Sequence, residues 1–474
     1  MISDRVAAHG DRIAVIDPDG TWTFAAIDSD ATALAGALPV EHGDRVAIIC
    51  RPGHDFVAAL LACWHAGAIA VPLHPPHPDA ELSYALTDSG AAAVIASSEH
   101  LDVSHRVAGD AAVVDVAARG TVHRFSAGAD RPAMMIYTSG TTGRPKGAVH
   151  THGSIAAMVD GMISAWQWSA DDRTVLVLPL NHVHGIVNVT LCALAVGACC
   201  EAPRGFDAVA VWERLASGEI TVFMAVPTIY ARLVAAWEQA AEDTRHRWSA
   251  GAAGLRLMVS GSAALPVSTL DRWRELTGHV LLERYGMTEL GMVLSNTLDR
   301  RVPGHVGEPM PGVEVELLDD GELLVRGPQV FAGYWGRPEA TAEAFVDGWF
   351  RTGDVAVRDP DGYRLLGRSS VDILKTGGEK VSALEIEEVY RTHPDVADCA
   401  VVGVPDDEWG ERVCAAVVLT PGADGDTARL REWGKRRLAA AKVPRQFTVV
   451  DDLPRNTLGK VLKPDVKALF HPSV

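Results

Sequence analysis

Short apolar runs recur along the first half of the chain, at GDRVAIIC (43–50), AIAVPL (68–73), AAVIAS (92–97), TVLVLPL (174–180) and LRLMVSG (255–261). Most are bounded by Gly, Pro or small polar residues, and stretches with helical spacing, such as DFVAALLACWHAG and DAELSYALTDSG, lie between several of them. Continuous apolar strands alternating with helices predict an α/β fold built on largely parallel, buried strands. The most apolar stretch, FVAALLACWHAGAIAVPL (56–73), contains His65 and Gly67 and is interrupted at Pro72. It predicts a buried helix turning into a strand, not a membrane span.

The pattern changes after about residue 310. GVEVELLDDGELLVRG alternates around an Asp-Gly turn, which predicts a hairpin and added antiparallel β structure. Near GRSSVDILKTGGEK (367–380) the chain turns polar and Gly-rich, and a fresh unit follows. Ser382 and Glu385 have capping-box spacing for a helix over ALEIEEVYRTH. Two apolar runs, DCAVVGV and RVCAAVVL, precede a helix expected from Thr427 to Ala441, and QFTVV closes the unit. This divides the chain into residues 1–368, a large α/β domain with added antiparallel structure, and 369–474, a small α+β domain of ordinary size.

A net charge of −18 and a pI near 5.4 argue against nucleic acid or an anionic membrane as the main partner. An anionic substrate must therefore be held by local positive groups. The seven cysteines form no CxxC pair and mostly lie in apolar runs, as expected in a reducing compartment. MISDRVAAHGDRIAVIDPDG shows no basic segment leading into an apolar one, so a cytoplasmic location is expected.

YTSGTTGRPKGA (137–148) combines three Gly, four Ser or Thr hydroxyls and two cations after an apolar run. Such a loop can turn backbone N–H groups, hydroxyls and charge toward phosphate. A P-loop needs G-x-x-x-x-G-K-[ST], but counting from Gly140 the sixth position is Pro145 and Gly147 follows Lys146, so that reading fails on spacing. TSGTTGRPKG instead resembles the phosphate loop of the acyl-adenylate-forming superfamily, which includes acyl-CoA synthetases, luciferases and peptide-synthetase adenylation domains. Further signatures follow in order: YGMTE (285–289), FRTGD (350–354), GRSSVDILKTGGEK and PRNTLGK (454–460). The resemblance spans roughly residues 20 to 470.

That resemblance implies ATP, Mg²⁺ and CoA, with the acid first converted to an acyl-AMP. Thr138, Ser139, Gly140, Thr141, Thr142 and Lys146 would surround phosphate, and Gly261, Ser262, Ala263, Glu283, Tyr285, Gly286 and Thr288 would border the nucleotide. Asp354 and Arg368 would hold the ribose. Glu289 and Thr142 would ligate Mg²⁺, and Lys460 would reach the reacting carboxylate. Lys375, Gly377 and Gly378 would border the CoA arm, and the segment near 368–372 would act as a hinge between the two half-reactions.

Amino-acid-selecting relatives carry a Phe-Asp pair where this chain has Asn181 and His182 in LPLNHVHG, so an amino-acid substrate is not expected. Arg284 stands before Tyr285 where Gly is common among synthetases of monocarboxylates. A diacid leaves one carboxylate unreacted, and burying that charge unpaired is costly. Along an extended LLERY, Arg284 and Glu283 point to opposite sides, which leaves the guanidinium available for a bidentate contact. The segments VSGSAALPVSTLDRWRELTGHVLLERYGMTE, LPLNHVHGIV, VPTIYARL and KTGGEKVSALEIE resemble malonyl-CoA synthetases. By that resemblance Arg284 would grip the free carboxylate of malonate or methylmalonate. His182, also in a catalytic role, Ser260 and Met287 would border the acyl pocket, with Arg232 a second cation. Acetate or propionate synthetases, or a nucleotide-binding protein of this fold without turnover, are the alternatives. Asn181 and Glu379 depart from the family, each standing where an aromatic is usual.

Overall fold

The computed structural model describes residues 1–121, 124–138, 144–406, 408–456 and 459–470. Two large, mainly parallel sheets dominate the first part of the chain. One has nine strands and includes Ile13–Asp17, Val222–Ala225, Leu257–Ser260 and Leu282–Met287. The other has seven and includes Arg45–Ile49, Ile69–Pro72, Ala93–Ala96, Pro132–Thr138 and Lys146–Thr151. Their core is shared. Val46 and Ile48 of one sheet, Val15 and Leu257 of the other, and helical side chains from Phe24, Phe56 and Trp166 form one apolar cluster. Helix His54–His65 is buried at every residue, which explains why its sequence is apolar all round.

The strands expected at 43–50, 68–73, 92–97 and 255–261 are all present. TVLVLPL gives a strand only over Arg173–Val175. The remainder leads into a wide helical turn at His184–Leu191. The 310–326 hairpin forms between Glu314–Leu317 and Glu322–Arg326, with Gly321 in the left-handed region (φ +87°) at its turn. It joins Trp349–Asp359 and Gly362–Arg368 in a five-stranded antiparallel sheet.

A second five-stranded sheet occupies the end of the chain: Glu379–Ser382, Ile373–Thr376, Gly410–Leu419, Val396–Asp406 and Gln446–Val450. It has its own apolar clusters on both faces, one around Val401, Val417 and Tyr390, the other around Val402, Ala416 and Val466. Ser382 Oγ accepts from Glu385 N–H at 3.2 Å, as expected of a cap. The reciprocal arm of the box is not made, because the Glu385 carboxylate pairs with Lys442 instead. The helix expected to reach Ala441 ends at Lys435. There Gly434 lets the Tyr390 hydroxyl lie against backbone, at 2.0 Å from where a Cβ would stand. Among the described residues no helix is long and apolar enough to cross a membrane.

Candidate active site

Strand Leu282–Met287 organises the site. It runs parallel to Leu257–Ser260, with Ser260 opposite Glu283, and antiparallel to Gly291–Ser295. The ends of parallel strands are where ligands meet open α/β sheets. Alternation sends the side chains of this strand to two sides. Arg284 goes one way and its guanidinium passes over Gly261: a Cβ there would lie 2.5 Å from Arg284 Cζ. Gly261 is thus the residue that makes room for the arginine.

Arg284 is only 4% exposed, and its Nε and Nη2 have no hydrogen-bond partner among the described residues. Burial lowers its pKa to about 9. His184 lies within its field, and burial, then the Arg284 charge, hold that ring neutral. His184 Nδ1 and Ser262 Oγ are hydrogen-bonded at 3.1 Å, while His184 Nε2 is buried without a partner. Ser262 has φ +69°, a strained value for a non-glycine residue. Ser260 Oγ is likewise buried and unpartnered. A buried cation with unsatisfied donors around it is costly unless a complementary anion completes it.

Tyr285 goes the other way. Its ring packs with Ala148, Leu290 and Phe350, and its hydroxyl donates to Asp354 Oδ2 at 2.6 Å. Arg368 Nε donates to Asp354 Oδ1 at 3.0 Å. Glu289 is buried, which raises its pKa; the Tyr334 hydroxyl, donating to its Oε1 at 2.8 Å, opposes that rise. The Lys146 ammonium stands 5.1 Å over the Tyr334 ring. His150 Nε2 donates to the Thr288 carbonyl at 2.8 Å and ties the YGMTE turn to strand Lys146–Thr151. Thr138 faces Lys146 across the same strand pair, and Tyr84 donates to the Pro145 carbonyl at 2.9 Å, bracing the loop's far end.

Lys460 reaches this group from the end of the chain. Burial lowers its pKa, the Arg368 charge lowers it further, and Asp372 and Asp354 oppose. The loop carrying it is self-braced: Lys460 N–H donates to Asn456 Oδ1 and Arg455 Nη1 donates to the Gly459 carbonyl. Gly459 (φ +76°) lies against Thr228, 2.4 Å from its Oγ1 to a hypothetical Cβ. Glu388 accepts from Val267 N–H at 3.0 Å, a second contact between the final sheet's unit and the rest.

Not every expected residue joins this centre. Arg232 is exposed and lies over Phe206, 6.0 Å from the ring centroid, so its charge is not gathered with Arg284. Met287 packs with the Tyr285 cluster rather than beside Arg284. His182 is neutral, its pKa about 4 through burial and then the charges of His74 and His77, and His184 is the histidine next to Arg284. Glu283 accepts from Gly304 N–H at 2.7 Å, and Gly261 and Ser262 contact Arg284 and His184 respectively. Ala263 follows them on the same turn, half-buried, and Gly286 lies within 2.0 Å, Cβ to oxygen, of Gly291 backbone. Lys375 is exposed, and Gly377 and Gly378 form the left-handed turn of the hairpin after it. Ser139, Gly140, Thr141 and Thr142 lie outside the described residues. Tyr334, His184 and His150 are additions the sequence did not reveal; the aromatic-plus-Gly pair GYW and the histidine-rich NHVHG and VHTHG are the only signals that pointed near them.

For Mg²⁺ the donor set fits: Glu289 offers a hard carboxylate oxygen, and Mg²⁺ is commonly held by one or two carboxylates together with substrate phosphates. Accordingly, among the described residues no group of three or more His, Cys, Asp or Glu could hold a metal by itself.

The AMP-binding enzyme model matches residues 2–335 and the AMP-binding enzyme C-terminal domain model matches 385–460. The chain belongs to the AMP-binding enzyme family. It is 43% identical to the mitochondrial malonate–CoA ligase ACSF3 of Mus musculus, over 99% of this chain and 90% of that protein. Among solved structures it resembles ATP-bound MatB of Rhodopseudomonas palustris, with TM-score 0.91 and 33% identity over 99% of both chains. Against the apo form of that protein the TM-score is 0.81, over 99% of this chain and 98% of the other at the same identity.

Proposed function

We propose that this protein joins malonate to CoA with ATP, by way of malonyl-AMP, releasing AMP and pyrophosphate. The observation that carries the reading is Arg284: a buried guanidinium with free donors, in a wall shared with His184 and Ser260. A monocarboxylate would leave that cation unpaired. A dicarboxylate supplies one oxygen atom set to react and a second to satisfy the fork, an interaction of about 1.5–3 kcal/mol.

One malonate oxygen attacks the α-phosphorus of ATP, and the bond to the pyrophosphate oxygen breaks. The CoA thiol then attacks the acyl carbon and AMP departs. Two anions must approach in the first step, so positive charge and donors decide its rate. Lys460 at the carboxylate and Lys146 at the phosphates supply charge, and Asp354, held by Tyr285 and Arg368, receives the ribose hydroxyls. Mg²⁺ held by Glu289 and by Thr142 would neutralise the phosphates. We take 368/369 as the domain boundary and the segment to Asp372 as the hinge, with Lys375, Gly377 and Gly378 serving CoA in the second step. All seven cysteines are free, which supports a reducing compartment such as the cytoplasm; the mouse relative is named as mitochondrial.

The test incubates the protein with ATP, Mg²⁺, CoA and malonate, methylmalonate, acetate or propionate while AMP and pyrophosphate are followed. Malonate should give the highest kcat/KM; acetate ahead of malonate, or ADP in place of AMP, overturns the assignment, and absence of turnover makes this a binding protein. Arg284→Ala should raise KM for malonate on the order of 10- to 100-fold and that for ATP little. Equal losses would assign Arg284 to nucleotide binding instead.

A further inference from the structure

Behind the ribose-side hairpin lies a cavity of about 550 Å³ bounded by Asp320, Val355, Val357, Arg364, Leu366 and Ser369 on one side. Ile373, Lys375, Lys380, Ser382, Glu385 and Lys442 bound it on the other. Strand Trp349–Asp359 alternates, with Thr352, Asp354 and Ala356 buried on the site face. Val355 and Val357 therefore stand on the opposite face, with Arg364 directly across from Val357. The facing wall is one side of the hairpin 373–382, where Ile373 pairs with Ser382 and Lys375 pairs with Lys380.

Lys375 and Lys380 are thus cross-strand neighbours of like charge, an arrangement that is destabilising on its own. Among the described residues neither lysine lies within ion-pair distance of an acid, and Arg364 acts on Asp359 only through space, without an ion-pair contact. Lys442 is neutralised by Glu385 at 2.6 Å, and Asp320 is the only remaining acid on the wall. Three unpaired cations against one carboxylate gather here in a chain of net charge −18. One of them precedes the expected hinge and two follow it: Arg364 lies before residue 368, Lys375 and Lys380 after 372.

We infer that this cavity is a second anion site, distinct from the nucleotide site, that takes a phosphate-bearing ligand between Arg364 and the Lys375–Lys380 pair. Bound phosphate relieves the lysine repulsion and, because its ligands come from both sides of the hinge, ties the end of the chain in the orientation described here. Swinging the small domain for thioester formation separates those ligands, so the anion opposes the second half-reaction and spares the first. That consequence rests on the hinge and malonyl-CoA readings above; the binding itself does not.

The direct test is calorimetric titration of the full chain, at constant ionic strength, with inorganic phosphate in one arm and 3′,5′-ADP, the nucleotide end of CoA, in another. Arg364→Ala and Lys380→Ala should each weaken binding about tenfold while leaving the Kd for ATP unchanged. Variants that bind as the wild type does, or a wild type that binds neither probe, overturn the site. Phosphate competing as well as 3′,5′-ADP identifies a free anion, and 3′,5′-ADP alone identifies CoA as the source. In the kinetic arm, the tighter probe should slow thioester formation from prepared malonyl-AMP and leave ATP–pyrophosphate exchange intact, and Arg364→Ala should lift that inhibition. Equal inhibition of both steps refutes the orientation effect. No exchange at all in the untreated enzyme refutes the proposed activity, with the calorimetric result standing apart from it.

Discussion

Arg284 carries a conflict that the rest of the strand does not: it is charged, buried and, among the described residues, unpaired. Burial depresses its folded pKa to about 9, well below the usual guanidinium range, so the native state resists protonation relative to the unfolded chain. The resulting penalty is full below about pH 9 and fades as pH rises from there toward the usual guanidinium range. Arg284→Met should therefore stabilise the ligand-free protein, by about 1–4 kcal/mol, while abolishing use of malonate. Thermal unfolding with and without malonate checks this: the wild type should gain a malonate-dependent rise in Tm that the variant lacks. Gly261→Ala should mimic the loss of malonate without the gain in stability, since its Cβ meets Arg284 Cζ at 2.5 Å. Glu283, on the other face, has its pKa raised to about 7 by burial. An acid raised in this way makes stability fall as pH climbs from about 4.5 to about 7, by roughly 3 kcal/mol for a shift of this size. Glu283→Gln keeps an acceptor for Gly304 N–H and should flatten that part of the stability–pH curve; an unchanged slope assigns the titration elsewhere.

Elements bring together what the sequence keeps apart. The two-residue strand Gly333–Tyr334 pairs with Val149 and Ala148, and so delivers the Tyr334 hydroxyl to Glu289 and its ring to Lys146. Because that hydroxyl lowers the Glu289 pKa, Tyr334→Phe should move the acid limb of the kcat/KM profile for adenylation to higher pH. A loss of rate with no such shift would leave Tyr334 a packing role only. This strand was not legible beforehand, since two residues carry no periodicity. His150 and Thr288 are 138 positions apart, and His184 and Ser262 are 78 apart, distances over which local pattern says nothing. What pattern did give were the buried parallel strands and the 314–326 hairpin, where local chemistry and tertiary packing agree. It failed at TVLVLPL, whose second half leaves the sheet for the helical turn at His184–Leu191, and at Lys435, where the helix ends beside the Tyr390–Gly434 contact.

At the scale of the molecule, the last sheet is docked so that Gly459 abuts Thr228 and Lys460 feels the charges of Arg368, Asp372 and Asp354. Gly459→Ala adds a Cβ both at φ +76° and 2.4 Å from Thr228 Oγ1. It should slow ATP–pyrophosphate exchange by about tenfold or more. Thioester formation from supplied malonyl-AMP should stay near the wild-type rate, and parallel losses in both assays would mean general misfolding. That a large first unit is followed by a smaller one was legible from the change of pattern, and each buries its own core. The mutual placement of those units was not, because it rests on contacts such as Gly459 with Thr228 that have no local signature. On the proposed assignment one strand, finally, serves two ligands from opposite faces: the unpartnered Arg284 guanidinium would face the acid, and Tyr285, bound to Asp354, the nucleotide. A lineage can therefore trade its carbon source by altering one face of that strand while the energy-coupling face is inherited intact, which makes substrate range the evolvable property of this architecture and ATP use the frozen one.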